Sequence, residues 1–260
     1  MGEPSLRHAL CIAHPGHELR IFGWVERFRP LVDVVTDGSG ATRVSRYSAT
    51  RSLLEGMGCR FGFLQGGISD RAFYDLIQGG EPAPFIEFAR GLASEWREEG
   101  IQVVAGDMLE GFSTTHDICR MVINAAVEKI RKEGHLITTL EFGLESMQSL
   151  DTTSPGVISL KLDEAAFARK RQAALALSPY LAGEVERLVA KYGKSDFCIE
   201  TLRTARSPAG LSWDAPEPPF YETYGRRQVA AGHYKEAITY SSHIQPLANA
   251  IWDWAVSDSL

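Results

Sequence analysis

No C-x-x-C pair occurs in this chain, and its four cysteines, Cys11, Cys59, Cys119 and Cys198, lie far apart. That spacing argues against a cysteine zinc site and against a dense disulfide framework, and leaves free thiols in a reducing cytoplasm as the expectation. Basic residues are also short. Lys and Arg number 27 against 33 Asp and Glu, a net charge of -6, which disfavours a nucleic-acid partner that needs a basic face. No apolar run approaches the roughly 20 residues that cross a bilayer, so no transmembrane segment is expected. Met1 to Arg7 is polar and lacks the apolar stretch of a secretory leader. Internal repeats and low-complexity segments are absent as well. What remains is an ordinary globular composition, 44% hydrophobic and 23% charged, in a length that suits a single α/β domain.

Strand and helix patterns alternate along the chain. Ala9 to Ala13 reads as a buried strand, and Glu18 to Phe28 as a helix with Leu19, Phe22, Val25 and Phe28 at helical spacing, stopped by Pro30. Leu31 to Thr36 is a second strand running into the turn Asp37-Gly38-Ser39-Gly40. Helix patterns follow at Arg43 to Met57 and at Arg71 to Gly100, the latter broken by a loop from Gly79 to Pro84. Further strands are expected at Arg60 to Leu64, Ile101 to Ala105, Leu136 to Glu141 and Val157 to Leu160. Asp163 to Leu177 is a helix, a second helix restarts at Ser178-Pro179 and ends near Gly193, and Phe197 to Thr204 is extended. Pro208 to Pro219 is a proline-rich loop, and Tyr221 to Val256 carries a helix pattern rich in Tyr and Trp. The alternation points to βαβ units and a parallel sheet.

Two stretches carry chemistry. Ala13-His14-Pro15-Gly16-His17-Glu18 sits where the first strand gives way to a helix, and ligands of open α/β sheets bind beyond strand ends. The H-x-x-H spacing lets His14 and His17 reach one point, and imidazole is a common zinc ligand. Alone the pattern is weak, since two exposed loop histidines would give it too. The second stretch is Ser113-Thr114-Thr115-His116-Asp117, three N-cap residue types opening a long amphipathic helix with His116 in its first turn. The helix dipole disfavours a cation there, which suits a neutral, metal-bound imidazole. A solvent-exposed capping histidine fits the same residues.

The strand ending in A-H-P-x-x-E, the strand ending in T-D-G-S and the histidine that opens a later long helix together resemble the PIG-L/LmbE-like zinc-dependent de-N-acetylases. Arg46 is similar to that family's substrate-facing helix arginine, Lys170 and Ala174 to its K-x-x-A helix, and Glu200 to a late glutamate. The likeness covers about residues 8 to 205. It implies a Rossmann-like three-layer α/β domain with a mostly parallel sheet over 1–205, followed over 206–260 by a proline-rich loop and a helical C-terminal extension of the same domain. It further implies one Zn2+ as cofactor and a small-molecule partner, an N-acetylated sugar or conjugate, from which an acyl group is removed by amide hydrolysis.

In the family the first motif reads A-H-P-D-D-E. On those positions this chain puts His14, Gly16 and His17, and His116 falls on the last histidine of the second motif. The implied zinc ligands are therefore His14, His17 and His116, three imidazoles in place of two and a carboxylate. Gly16 stands where the family has its general base and cannot move protons, and Ser113 stands where the family has a histidine that stabilises the tetrahedral intermediate. Glu18 and Asp117 are the candidates to take over acid–base catalysis, and Asp37, Arg46 and Asp107 the candidates to hold substrate. Loss of general-base help costs about 10²–10⁴ in rate, so a catalytically impaired relative that binds metal and a sugar conjugate without turnover is the alternative. The sequence does not indicate the oligomeric state.

Overall fold

The computed structural model describes residues 6–144, 155–177, 190, 197–205 and 218–257. Seven strands form one sheet in the order β3-β2-β1-β4-β5-β7-β6. These are β1 (His8–Ile12), β2 (Leu31–Thr36), β3 (Arg60–Ile68), β4 (Val103–Asp107), β5 (Thr138–Phe142), β6 (Val157–Lys161) and β7 (Ile199–Thr204). The first five run parallel, while β7 lies antiparallel to β5 and β6 antiparallel to β7. Eight helices are described: α1 (Phe22–Phe28), α2 (Tyr47–Gly56), α3 (Asp70–Gly79), α4 (Ala83–Glu98), α5 (Thr114–Lys132), α6 (Glu164–Leu177), α7 (Phe220–Ala230) and α8 (Gln245–Val256). The result is the α/β three-layer architecture expected, with a mostly parallel sheet.

The strand period of two sorts the core into layers. Ala9, Cys11 and Ala13 face α3, α4, α5 and α8, packing with Phe73, Phe85, Leu92, Ile118, Val122 and Ile251. Leu10 and Ile12 face the other way, onto Ile21, Trp24 and Val25 near α1 and Leu54 of α2. Because helices cover both faces, the central strands are buried along their length and read as apolar runs rather than alternations. The chain steps outward from β1 to β2 and β3, then returns to β4 on the far side of β1. The crevice at the carboxyl ends of β1 and β4 is thus a topological switch point, where ligands of such sheets bind.

Four boundaries differ from the sequence expectation, the first at β3, expected to end at Leu64 and running on to Ile68. The helix expected from Glu18 is a short 3-10 turn, His17–Ile21, before α1 begins at Phe22. The helix expected from Arg43 starts at Tyr47, because the segment before it folds back and Arg46 donates its N–H to the Asp37 carbonyl at 2.9 Å. The single helix pattern from Tyr221 to Val256 is two helices. Gly232, at φ +76, follows the end of α7 in the left-handed region that terminates helices. The chain then passes through a loop and a π turn, Tyr240–Ile244, whose first residues are capped by Thr239. Leu247, Ala248, Ile251 and Ala255 of α8 enter the same core as β1 and α5. The helix expected from Ser178 to Gly193 and most of the loop from Pro208 to Pro219 lie outside the described residues.

The long edge strand β3 pairs with β2 through two register shifts. Two acids, Asp33 buried and Glu95 half-buried, meet the irregularity. Asp33 accepts from Leu64 N at 3.0 Å and from Trp96 Nε1 at 3.2 Å, and Glu95 accepts from Phe63 N at 2.9 Å. Burial, with Glu95 beside it, pushes the Asp33 carboxyl well above the usual carboxylate range.

Candidate functional site

The ends of three parallel strands and the starts of two helices converge on one spot. His14 lies just past β1, Thr36 ends β2, Asp107 ends β4, Asp70 opens α3 and His116 sits in the first turn of α5. The three imidazoles of His14, His17 and His116 gather there. Their ring centroids are 5.2 Å apart for His14 and His17, 5.1 Å for His14 and His116, and 4.7 Å for His17 and His116. All three pairs are steeply inclined rather than stacked.

Two of the rings are braced from behind. His14 Nδ1 lies 2.9 Å from Asp70 Oδ1 and 2.7 Å from the Thr36 hydroxyl, which itself donates to Asp70 at 2.6 Å. His17 Nδ1 lies 2.9 Å from Asp107 Oδ2, and the same oxygen accepts Ala13 N–H at 2.8 Å. Carboxylate acceptors at Nδ1 select the tautomer with its proton there and leave each Nε2 lone pair available. His116 is buried, and its Nδ1 has no hydrogen-bond partner among the described residues.

Burial disfavours charge on two of the rings, His14 and His116. Burial lowers the His14 pKa, although Asp70 beside it works the other way. Burial, and then His17 and His14 as like-charged neighbours, hold His116 well below the usual imidazole range. The partner acids behave oppositely. Burial alone would raise Asp70 and Asp107, but the hydrogen bonds and imidazoles facing them outweigh it. Asp70 is held below the usual carboxylate range and Asp107 at about 2.

The start of α5 is short of partners. Ser113 is its N-cap but makes no side-chain capping bond. The Thr114 and Thr115 hydroxyls, His116 Nδ1, Asp117 Oδ2 and Asp107 Oδ1 are buried with no hydrogen-bond partner among the described residues. Buried polar atoms are nearly always satisfied, so this concentration marks a place built around a further polar group. Among the described residues, however, no group of three His, Cys, Asp or Glu has its donor atoms arranged as a metal ligand set. The backbone brings the rings together without turning their nitrogens to one point.

The other expected site residues take the following places. Glu18 is buried with both oxygens engaged, Oε2 accepting Gly16 N–H at 2.7 Å and Oε1 the Thr50 hydroxyl at 2.9 Å, so it braces the loop that carries the two histidines. Asp117 is fully buried; its Oδ1 accepts from Glu110 and Gly111 N–H, each at 3.2 Å, and burial pushes its pKa up to about 8. Asp107 has no exposed surface and lies behind His17 rather than at a substrate-facing surface. Asp37 and Arg46 stand half-buried beyond the end of β2, where Asp37 accepts Ser39 N–H at 2.9 Å and Arg46 Nε donates to the Gly38 carbonyl at 2.7 Å. Asp70 and Thr36 were not expected. Their only signal in the sequence was position, a hydroxyl ending a strand and an acid opening a helix.

No family model matches the chain, and no curated protein sequence matches it. Solved structures do. One is a deacetylase–teicoplanin complex from the teicoplanin biosynthesis pathway, with a TM-score of 0.53 at 12% identity, covering 77% of this chain and 99% of the other. Another is the zinc-inhibited form of teicoplanin deacetylase Orf2, with a TM-score of 0.51 at 12% identity, covering 76% and 97%. At that identity the likeness establishes the fold.

Proposed function

We propose that this chain is a metal-dependent hydrolase, a divergent relative of the PIG-L/LmbE-like de-N-acetylases, that removes an acyl group from an N-acetylated sugar or sugar conjugate. The observation that carries the reading is the cluster of three imidazoles at the switch point, two of them oriented through Nδ1 by buried carboxylates. Carboxylate–histidine pairs of this kind orient zinc ligands. The ring spacing also suits zinc. The three ring centroids lie 4.7–5.2 Å from one another, near enough for the imidazoles to share one ion, and His116, whose Nδ1 has no partner among the described residues, is the ring that can turn without breaking a brace. His14, His17 and His116 would hold the ion. Bound zinc supplies Lewis acidity, polarising an amide carbonyl and acidifying water. The shared fold of deacetylases from teicoplanin biosynthesis supports the reaction class.

This chain's own groups then divide the remaining work. Asp70 and Asp107 orient ligands. Glu18 holds the 14–18 loop, which leaves Asp117, with Oδ2 unpartnered among the described residues, as the group we assign to proton handling. Asp37 and Arg46 shape the rim where substrate would be held. A second reading, a metal and sugar-conjugate binder without turnover, is favoured by one observation: Gly16 occupies the base position and Glu18 is fully committed to bracing.

The test is acetate release from N-acetylglucosamine and its conjugates, with and without chelator. The reading predicts zinc-restorable activity, loss of that activity in His116→Ala, and a fall of about 10²–10⁴ in Asp117→Asn. Zinc-loaded protein that releases no acetate from any N-acetyl sugar supports the binding reading instead.

A further inference from the structure

Asp70 turns its two carboxylate oxygens to two different segments. Oδ1 faces His14 Nδ1 at 2.9 Å and accepts the Thr36 hydroxyl at 2.6 Å. Oδ2 accepts the Gly40 N–H at 2.6 Å. One side chain at the start of α3 therefore spans from a candidate metal ligand to the loop 37–46 beyond β2. Asp107, behind His17, is arranged otherwise. Its Oδ2 serves both His17 and the Ala13 N–H, while its Oδ1 has no partner among the described residues. Of the two braces, it is Asp70 that reaches the rim where Asp37 and Arg46 stand.

The loop depends on that tie. Its backbone passes through three left-handed residues, Gly38 at φ +65, Gly40 at +48 and Arg43 at +57, a region that a residue with a side chain seldom adopts. Its root is fixed. Asp37 N–H donates to the Ile68 carbonyl and Arg46 N–H to the Asp37 carbonyl, each at 2.9 Å. Beyond the root its bonds are local: Ser39 N–H to Asp37 Oδ1, the Thr42 hydroxyl to the Ser39 carbonyl, and Val44 N–H to Thr42 Oγ1. Among the described residues, the Gly40–Asp70 bond is the one that joins 39–45 to a distant part of the chain. Residues 42–45 are exposed, so packing does little to hold them. The same loop places Arg46. Its Nε donates to the Gly38 carbonyl at 2.7 Å, and a Cβ at Gly38 would meet Pro15, next to His14, at 2.8 Å and the Arg46 guanidinium at 3.1 Å.

We propose that Asp70 is a positioning residue that couples the metal half of the site to the substrate half: a metal ion on His14 orders the loop 37–46, and an ordered loop tightens metal binding. The metal half rests on the zinc reading of the histidine cluster; the coupling rests on the two-armed carboxylate. An imidazole that ligates through Nε2 keeps its proton on Nδ1 and donates it to the carboxylate behind it. That holds the Asp70 carboxylate in place, and with it the acceptor for the Gly40 N–H. Linkage makes the effect reciprocal, so substrate held at Arg46 strengthens metal binding in turn.

Amide hydrogen exchange over residues 39–46 of the full chain, with zinc and with chelator, tests the coupling without requiring turnover. Zinc should slow exchange there by about fivefold or more. Asp70→Asn and Asp107→Asn both remove a brace from an imidazole, so each is measured at saturating zinc with occupancy checked by elemental analysis. Asp107→Asn should keep the zinc-dependent slowing. Asp70→Asn should lose it and exchange fast in both metal states. An Asp70 that only supports the fold would leave the loop of the unmodified chain equally protected with and without zinc, a comparison that decides the matter even where Asp70→Asn does not fold. That result, slowing that survives Asp70→Asn, or slowing lost to the same extent in Asp107→Asn would overturn the coupling and leave the zinc reading standing. A chain that takes up no zinc refutes the zinc reading and the coupling with it.

Discussion

His14 and His17 each lean on a carboxylate, Asp70 and Asp107, that also holds a loop N–H. Asp107 has no exposed surface, and its Oδ2 serves both His17 and the Ala13 N–H. Replacing such a partner of a metal-binding imidazole typically costs 10–100-fold in metal affinity. Asp70→Asn and Asp107→Asn should therefore bind zinc about 10–100-fold more weakly in a competition titration while still folding; unchanged affinity in both would show that the carboxylates serve only packing. Gly16 makes a different point. Its φ of +105 lies where L side chains are rarely found, so an aspartate there strains the loop. Gly16→Asp should lower stability by about 1–2 kcal/mol, read as a drop in the thermal midpoint; a midpoint at or above that of the unmodified chain would mean the loop conformation is freely adjustable. The three histidines were legible in the sequence because motif and strand end coincide. Asp70 was not, because nothing local ties an acid that opens a helix to a histidine far earlier in the chain. Glu18 was legible as a residue of the site loop, but which atoms it touches depends on Thr50, a contact the sequence does not carry.

At the level of elements, the alternation of strands and helices was readable from periodicity, and the buried central strands identified themselves as apolar runs. Strand direction was not. Nothing in the composition of residues 199–204 says that β7 runs against β5, since both directions use the same period of two. The C-terminal break was missed because aromatic residues continue helical spacing through a region that Gly232 interrupts. The Asp33–Glu95 pair behind β3 gives this level its own test. An acid whose folded pKa is raised contributes stability that is fully present below its unfolded pKa, and that stability is lost as pH rises through the folded value. The direction of the Asp33 shift thus predicts a thermal midpoint that declines as pH climbs above the ordinary carboxylate range. Asp33→Asn, which cannot ionise, should decline less steeply although it starts lower for want of the Trp96 bond. Parallel declines in the two proteins would show that Asp33 is not the group whose titration costs the stability.

Across the whole molecule, the candidate site depends on where the chain changes direction in the sheet. The step from β1 outward to β3 and back to β4 opens the crevice, and the residues just past β1, at the end of β4 and at the starts of α3 and α5 fill it with imidazoles and their acids. Arg120, buried in α5, ties that helix to the same strand ends through the Asp107 and Leu140 carbonyls and the Thr139 hydroxyl. On the other side α8 packs into the core against α5, so the C-terminal segment supports the helix that carries His116. None of the described helices is long and apolar enough to cross a membrane. The central claim is that this crevice holds zinc on His14, His17 and His116, and metal content of the purified protein by elemental analysis addresses it most directly. The account predicts about one zinc per chain, falling to background in His14→Ala, His17→Ala and His116→Ala. No bound metal even after zinc addition, or full metal retention in all three variants, would contradict it.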